Sequence, residues 1–335
     1  MKILVLAGGL SPERDVSLAS GCLISNALLS CGYEVLLADV FSPLPADKIV
    51  FSANPEKPYS FAISTQEPDL AALRASVPGN ALIGEGILDA ARQADVVFLA
   101  LHGGMGENGQ IQAFFDVEGI RYTGSDYEGC VLAMNKHLTK RMLDAEGIRT
   151  PTGILTNRLP DNFSYPCFVK PPHGGSSIAT TRADNPEALA KAIQAVRQYE
   201  PFALVEPEIR GREFSVGVLE GQALPPIEII PTAGFYDYAN KYQSGLTREL
   251  CPAPITAEED AEMRALAVRA AAALGLRDYS RIDFILEAST GEFICLEANT
   301  LPGMTPTSLL PQEAAASGIS YEALCKRIVE LALRH

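Results

Sequence analysis

The chain has 335 residues, enough for two or three domains, and its hydrophobic content of 47% with a charged content of 20% is that of a globular protein. A net charge of −14 excludes a general nucleic-acid surface while leaving room for a local basic pocket that binds a nucleotide. Seven scattered cysteines without a C-x-x-C pair, no apolar run of about 18 residues, and an opening MKILVLAGG too short for a signal peptide predict a cytoplasmic protein with no membrane partner.

Residues 2–7, KILVLA, form an uninterrupted apolar run of the kind found in buried parallel strands. Gly8-Gly9 and Ser11-Pro12 end it. A helix follows from about Val16 to Cys31, turning Leu18, Cys22, Leu23 and Leu28 inward, with Gly32 as its stop. Glu34–Val40 and Ala94–Leu101 read as further strands. This alternation predicts a doubly wound sheet with ligands at the carboxyl ends of its strands, and Glu13 and His102 both stand just past such ends. The first strand is not followed by G-x-G-x-x-G, which argues against a dinucleotide site. From Phe41 to Asn80 the chain is rich in Pro and Ser, predicting a loop with a short helix near Pro68–Ala75.

Tyr127–Glu146 reads as one helix ended by Gly147, with Lys136 and Lys140 one turn apart on one side. Tyr165–Lys170 is a strand that ends in a lysine and runs into Pro171–Ser177, PPHGGSS. A lysine beside a Gly/Ser loop can cradle phosphate, the loop offering N–H and O–H donors and the lysine a point charge. The order of a Walker loop is absent. Pro186–Tyr199 is an amphipathic helix with Pro in its first turn. Phe202–Glu206 is a short strand, and Ile209–Val216 reads as a turn flanked by Glu206 and Glu213. The segment GFYDYANKYQSG, Gly234–Gly245, sets three tyrosines and Lys241 in a polar, glycine-bounded stretch that suits neither helix nor strand. Such a loop suits closing over a bound molecule. Thr256–Glu259 is a capping box opening a helix that ends near Gly275, and Ser320 caps a last helix with Leu324, Ile328 and Leu331 inward.

The stretch Arg281–Leu309 organises the rest. It reads as strand, four-residue turn (Ala288–Gly291) and strand, with Ile282, Phe284 and Leu286 on one face and Arg281, Asp283 and Ile285 on the other. Folding the hairpin brings Asp283 close to Glu297, and Asn299 points the same way as Glu297. Two carboxylates side by side repel, and a hard cation reverses that penalty. A metal, the guanidinium of Arg281 and the backbone N–H groups of the loop around Gly303 suit phosphoryl transfer or an oxyanion.

In order and spacing, GGLSPERDVSLAS, HGGMGENGQIQ, KPPHGGSS, GREF, FYDYANKY, RIDF and LEANTLPGMTPTSL resemble the motifs of the ATP-grasp superfamily and, within it, the D-alanine–D-alanine ligases. The resemblance covers nearly the whole chain. It implies an α/β and α+β architecture: a doubly wound N-terminal domain (1–124), then a two-part ATP-grasp fold with a central subdomain (125–206) and a C-terminal subdomain carrying the metal site and mobile loop (207–335). The implied reaction joins two D-alanines through a D-alanyl phosphate for peptidoglycan precursors, with D-serine or D-lactate as the alternative second substrate. By the same resemblance Lys136, Lys170 and Ser177 contact ATP, Glu206 hydrogen-bonds adenine and Glu213 binds ribose. Asp283, Glu297 and Asn299 hold two Mg²⁺ (or Mn²⁺) ions. Glu13 holds the ammonium of the first D-alanine, linked to Ser176 and Tyr242, and His102 lies beside that substrate. Lys241 and Tyr242 ride on the closing loop; Arg281 and the Gly303 N–H are oxyanion donors; Ser308 and Leu309 form the pocket for the second carboxylate. The family also implies a homodimer. The sequence departs from the family pattern at Ala179 in the Gly/Ser loop, at Asn135 before Lys136 and at Asn108.

Overall fold

The computed structural model describes residues 1–64, 68–161, 163–174, 180–231 and 247–335. Its first sheet has the order β2-β1-β3, from β1 (Lys2–Ala7), β2 (Glu34–Asp39) and β3 (Val96–Leu99), all parallel. Ile3 to Ala7 have no exposed surface, because a central parallel strand is covered on both faces. β3 is shorter at both ends than Ala94–Leu101. Helix α1 (Arg14–Ser30) begins two residues before Val16. It buries Cys22 and Leu28 but leaves Leu23 37% exposed, so Leu23 does not face inward as expected. Consecutive helical residues are about 100° apart, and Leu23 falls off the face that Cys22 defines. Gly21 lies where a Cβ would meet the Ala7 Cβ at 2.6 Å, so it lets the helix sit down on β1. In the Pro/Ser-rich stretch, α2 (Leu70–Ser76) forms where the short helix is expected; α3 (Ile87–Gln93) and α4 (Gln110–Glu118) follow.

The single helix expected over 127–146 is two helices, α5 (Tyr127–Met134) and α6 (Lys136–Ala145). Asn135 between them is extended (φ −89, ψ 96), and its Oδ1 accepts from the N–H groups of His137 and Leu138, both at 3.1 Å. Neither Gly nor Pro marks this break; an Asn side chain competes for the backbone and caps the new helix. The freed Lys136 N–H donates to Pro172 O at 2.9 Å, tying the start of α6 to the loop after the next sheet's central strand.

That second sheet is antiparallel, order β4-β7-β5-β6, from β4 (Ile154–Thr156), β5 (Cys167–Lys170), β6 (Thr181–Ala183) and β7 (Ala203–Pro207). Helix α7 (Pro186–Val196) packs Leu189, Ile193 and Val196 beneath it.

The third sheet runs β11-β10-β8-β12-β13, with β9 paired to β8, from β8 (Gly211–Leu219), β9 (Gln222–Ala223), β10 (Ile227–Pro231), β11 (Thr247–Leu250), β12 (Tyr279–Glu287) and β13 (Phe293–Asn299). The expected turn at Ile209–Val216 is in fact mostly the start of β8. Phe214 and Val216 alternate into the core, while the charges of Arg210, Arg212 and Glu213 hide that period in the sequence. Helix α8 (Ala257–Ala273), opened by the expected Thr256–Glu259 capping box, lays Met263, Ala267 and Ala270 on Phe214, Ile282 and Phe284. Helices α9 (Leu309–Ala316) and α10 (Tyr321–Ala332) end the chain. Leu324, Ile328 and Leu331 of α10 share a core with Ile3, Leu28 and Phe98 of the first sheet. Among the described residues no helix is long and apolar enough to cross a membrane.

Candidate active site

The β12–β13 register sets the site. Arg281 pairs with Asn299 and Asp283 with Glu297; on the other side of β12, Asp283 pairs with Ser215 and Ile285 with Glu213. A register shift after Asp283 gives β13 one extra residue and turns the strand there. Alternation therefore collects Glu213, Ser215, Arg281, Asp283, Glu297 and Asn299 on one face, while Ile282 and Phe284 fill the core behind it.

Asp283 is the hub. Its Oδ1 accepts from Arg281 Nε at 2.9 Å and Ser215 Oγ at 2.8 Å; its Oδ2 accepts from the Arg281 terminal nitrogen at 2.8 Å and Asn299 Nδ2 at 3.0 Å. The Arg–carboxylate fork is bidentate, which fixes the guanidinium plane. Among the described residues no group of three or more His, Cys, Asp or Glu side chains is set to hold a metal ion. The expected set is instead two carboxylates opposed in one register pair, plus the amide of Asn299. That all-oxygen chemistry suits a hard divalent cation that takes its remaining ligands from phosphate and water, for which Asp283 would exchange some of the four hydrogen bonds it accepts here.

Two cavities open along this face. The larger, about 610 Å³, is lined by Lys136, Lys170, Glu206, Glu213, Asp283 and Glu297. The smaller, about 310 Å³, is lined by Glu13, His102, Arg281, Asn299, Gly303, Ser308 and Leu309. Both fall in the range of small-molecule sites. Neighbouring register pairs thus open on different cavities: Asp283 and Glu297 on the larger, Arg281 and Asn299 on the smaller.

In the larger cleft, Glu206 is 3% exposed and carries an ammonium on each oxygen: Lys170 Nζ at 2.5 Å from Oε2, and Lys140 Nζ on Oε1. Burial works against the Glu206 carboxylate, but Lys170 and Lys140 outweigh it and hold its pKa below the ordinary range. For Lys170 burial is likewise outweighed, by Glu206, and its pKa is raised. For Lys140 burial prevails over Glu206, and the nearby Lys170 adds to the lowering. Lys136 bonds Gly174 O and lies 3.8 Å from Glu297 Oε2. Lys140 and Ser215 are site residues the sequence reading did not select; for Lys140 the one-turn spacing from Lys136 is the available signal.

In the smaller cavity, Glu13 and His102 are each 6% exposed and come from segments after β1 and β3, as doubly wound topology predicts. Gly103 has φ 67, and a Cβ there would meet Glu13 Oε2 at 3.2 Å, so a glycine lets the two loops close together. His102 Nδ1 lies 3.8 Å from Glu107 Oε1; burial lowers its pKa, but the carboxylates of Glu107 and Glu13 outweigh this and raise it. Glu107, which lines this cavity, also escaped the sequence reading. Arg14, next to Glu13, grips Asp39 at the end of β2 at 2.6 Å, and the Gly9 N–H donates to the same carboxylate at 2.9 Å. Ser308 Oγ accepts from the Thr305 N–H at 3.1 Å and stands at the start of α9, where backbone N–H groups favour an anion.

Ser176, Ser177, Lys241, Tyr242 and Ala179 lie outside the described residues. The flanking Gly174 and Thr180 line the larger cleft, and Pro231 and Thr247 pair across β10–β11. Asn135 does the capping work an Asp would do, and Asn108 Oδ1 accepts from the Gln110 N–H at 3.0 Å at the start of α4.

A family model described as D-ala D-ala ligase N-terminus matches residues 2–125, and one described as D-ala D-ala ligase C-terminus matches residues 141–330. The D-alanine–D-alanine ligase of Pediococcus pentosaceus is 43% identical over 343 residues, covering 98% of this chain and 97% of that protein. The ligase of the same name from Nitratidesulfovibrio vulgaris (Hildenborough) is 42% identical over 339 residues, covering 99% and 98%. Among solved structures, the D-alanine–D-alanine ligase of Bacillus anthracis complexed with ATP superposes with a TM-score of 0.77 at 27% identity, covering 100% of this chain and 98% of that one.

Proposed function

Since the chain belongs to the D-alanine–D-alanine ligase family, we propose that the β12–β13 face is where its reaction takes place, with ATP in the larger cleft and the amino acids in the smaller cavity. The protein is an ATP-dependent ligase that joins two D-alanines into D-alanyl-D-alanine for cell-wall synthesis. The observation that carries the site assignment is the register: Asp283–Glu297 opens on the lysine-lined cleft and Arg281–Asn299 on the cavity that holds Glu13 and Ser308.

A carboxylate is a poor acyl donor because its oxide does not leave. Transfer of the γ-phosphoryl group to the first D-alanine makes an acyl phosphate, whose phosphate leaves when the second amine attacks. Glu13 holds the ammonium of the first substrate, and His102 lies beside it. Lys136 and Lys170, with Ser177, offset charge on the phosphates. Glu213 binds the ribose, and Glu206, whose oxygens also pair with Lys140 and Lys170, hydrogen-bonds the adenine. Asp283, Glu297 and Asn299 would hold two Mg²⁺ or Mn²⁺ ions, which would supply neutralisation of the charge that builds on the transferred phosphoryl group. Arg281, fixed by its fork to Asp283, and the Gly303 N–H stabilise the tetrahedral oxyanion; one such donor is worth about 3 kcal/mol. Ser308 and Leu309 receive the second carboxylate. Ser176 and Tyr242 complete a hydrogen-bonded link to Glu13, and the loop that carries Lys241 and Tyr242 closes to keep water from the acyl phosphate. We assign 1–124, 125–206 and 207–335 as the domains, a homodimer as the assembly and the cytoplasm as the location.

The test is phosphate release from ATP with D-alanine alone, then with D-serine or D-lactate added, and mass analysis of the product. D-Alanine alone is expected to give phosphate and the dipeptide. Phosphate release that requires D-serine or D-lactate would move the enzyme to a different acceptor.

A further inference from the structure

Lys170 faces the larger cleft, yet its ammonium is engaged by Glu206 at 2.5 Å. To serve a phosphate it must turn away. A buried carboxylate stripped of its only cation is strongly destabilised. Glu206 has a second one. Lys140 bonds the other carboxylate oxygen, does not line the cleft, and also donates to Pro151 O at 2.9 Å. The two lysines therefore differ in what they can reach: Lys170 can leave toward a ligand, and Lys140 is anchored behind.

We infer that Lys140 is a positioning residue, a stationary counter-ion that keeps Glu206 paired and so releases Lys170 to the phosphates of ATP. The inference rests on Lys170 being a phosphate ligand. Charge counting supports it: two ammoniums around one carboxylate leave one positive charge in excess, which a phosphate can take up. Glu297 also faces Lys170 and bears on the same balance. Lys170 is among the influences that lower the Lys140 pKa, so its departure strengthens the Lys140–Glu206 pair.

The experiment measures binding of magnesium ATP and of adenosine, without D-alanine, by calorimetry on the full chain. Lys140→Met is expected to weaken ATP by about tenfold or more, the cost of exposing an unpaired Glu206 when Lys170 leaves, and to leave adenosine nearly unchanged. Lys140→Arg keeps ATP binding. In a Glu206→Gln background no carboxylate needs a counter-ion, so Lys140→Met has no further effect. Wild-type ATP affinity in Lys140→Met, an equal loss for adenosine, or the same loss in the Glu206→Gln background overturns the inference. Lys170→Met separates it from its premise: unchanged ATP affinity there removes Lys170 as a phosphate ligand, whereas a loss with Lys170→Met but none with Lys140→Met removes only the role of Lys140. Should Lys140→Met not fold, Lys140→Gln is measured in its place, alone and in the Glu206→Gln background, and the same outcomes decide.

Discussion

The larger cleft takes most of its charged side chains from strands, with Lys170 on β5, Glu206 on β7, Glu213 on β8, Asp283 on β12 and Glu297 on β13. The smaller cavity takes Glu13, His102, Gly303 and Ser308 from segments outside the strands, and borrows Arg281 and Asn299 from the same hairpin. Ladder hydrogen bonds fix where a strand residue points, so the cleft can bring opposite charges together with little freedom. Loop residues need other restraints, and here they are the Arg14–Asp39 pair, the Gly103 contact and the Thr305–Ser308 hydrogen bonds. On the proposed assignment, rigid placement goes with phosphate handling, and adjustable placement with a small amino acid.

Asp283→Asn strikes where the two regions join, and the largest loss belongs there. Phosphate release is expected to fall roughly 10³-fold while circular dichroism is unchanged. Normal turnover would remove the ladder from the chemistry. Arg281→Ala sharpens the division: kcat is expected to drop about 10²- to 10³-fold with ATP affinity almost kept. An equal loss in both would put Arg281 on the nucleotide side. Glu13→Gln touches the smaller cavity alone. It is expected to raise KM for D-alanine about 10- to 100-fold, the worth of a hydrogen bond to a charged group, without moving KM for ATP.

Asp39→Asn tests whether that cavity depends on its loop restraints. Urea unfolding at neutral pH is expected to show a loss of about 1–3 kcal/mol. Burial opposes the Asp39 carboxylate, but Arg14, Ser42 and the Gly9 N–H hold its pKa below the ordinary 3.8. Its contribution is therefore present above 3.8 and fades as pH falls through the depressed value, and acid titration of the variant should lack that component. The smallest effect belongs to the helix break: Asn135→Ala is expected to cost about 1 kcal/mol in thermal unfolding, whereas Asn135→Asp should be nearly neutral.

Much of this was legible because the signals are local. KILVLA, the Thr256–Glu259 box and the Arg281–Leu309 hairpin each declare themselves within a few residues, and the Asp283–Glu297 opposition follows from the hairpin alone. The break at Asn135 was not legible, since a good helix former stands on either side and only the bond to Pro172 shows what the break achieves. The charges on Arg210, Arg212 and Glu213 disguised β8 as a turn. The two lysines on Glu206 come from α6 and β5, and no periodicity links residues 140, 170 and 206.

Helix α10 follows the third sheet in the chain but packs against α1 and the first sheet. During synthesis, β1 and α1 leave the ribosome some three hundred residues ahead of the helix that covers them. Until residues 321–332 emerge, the apolar surface of α1 around Leu28 lacks its cover, so the nascent chain carries an uncovered apolar face over that whole interval.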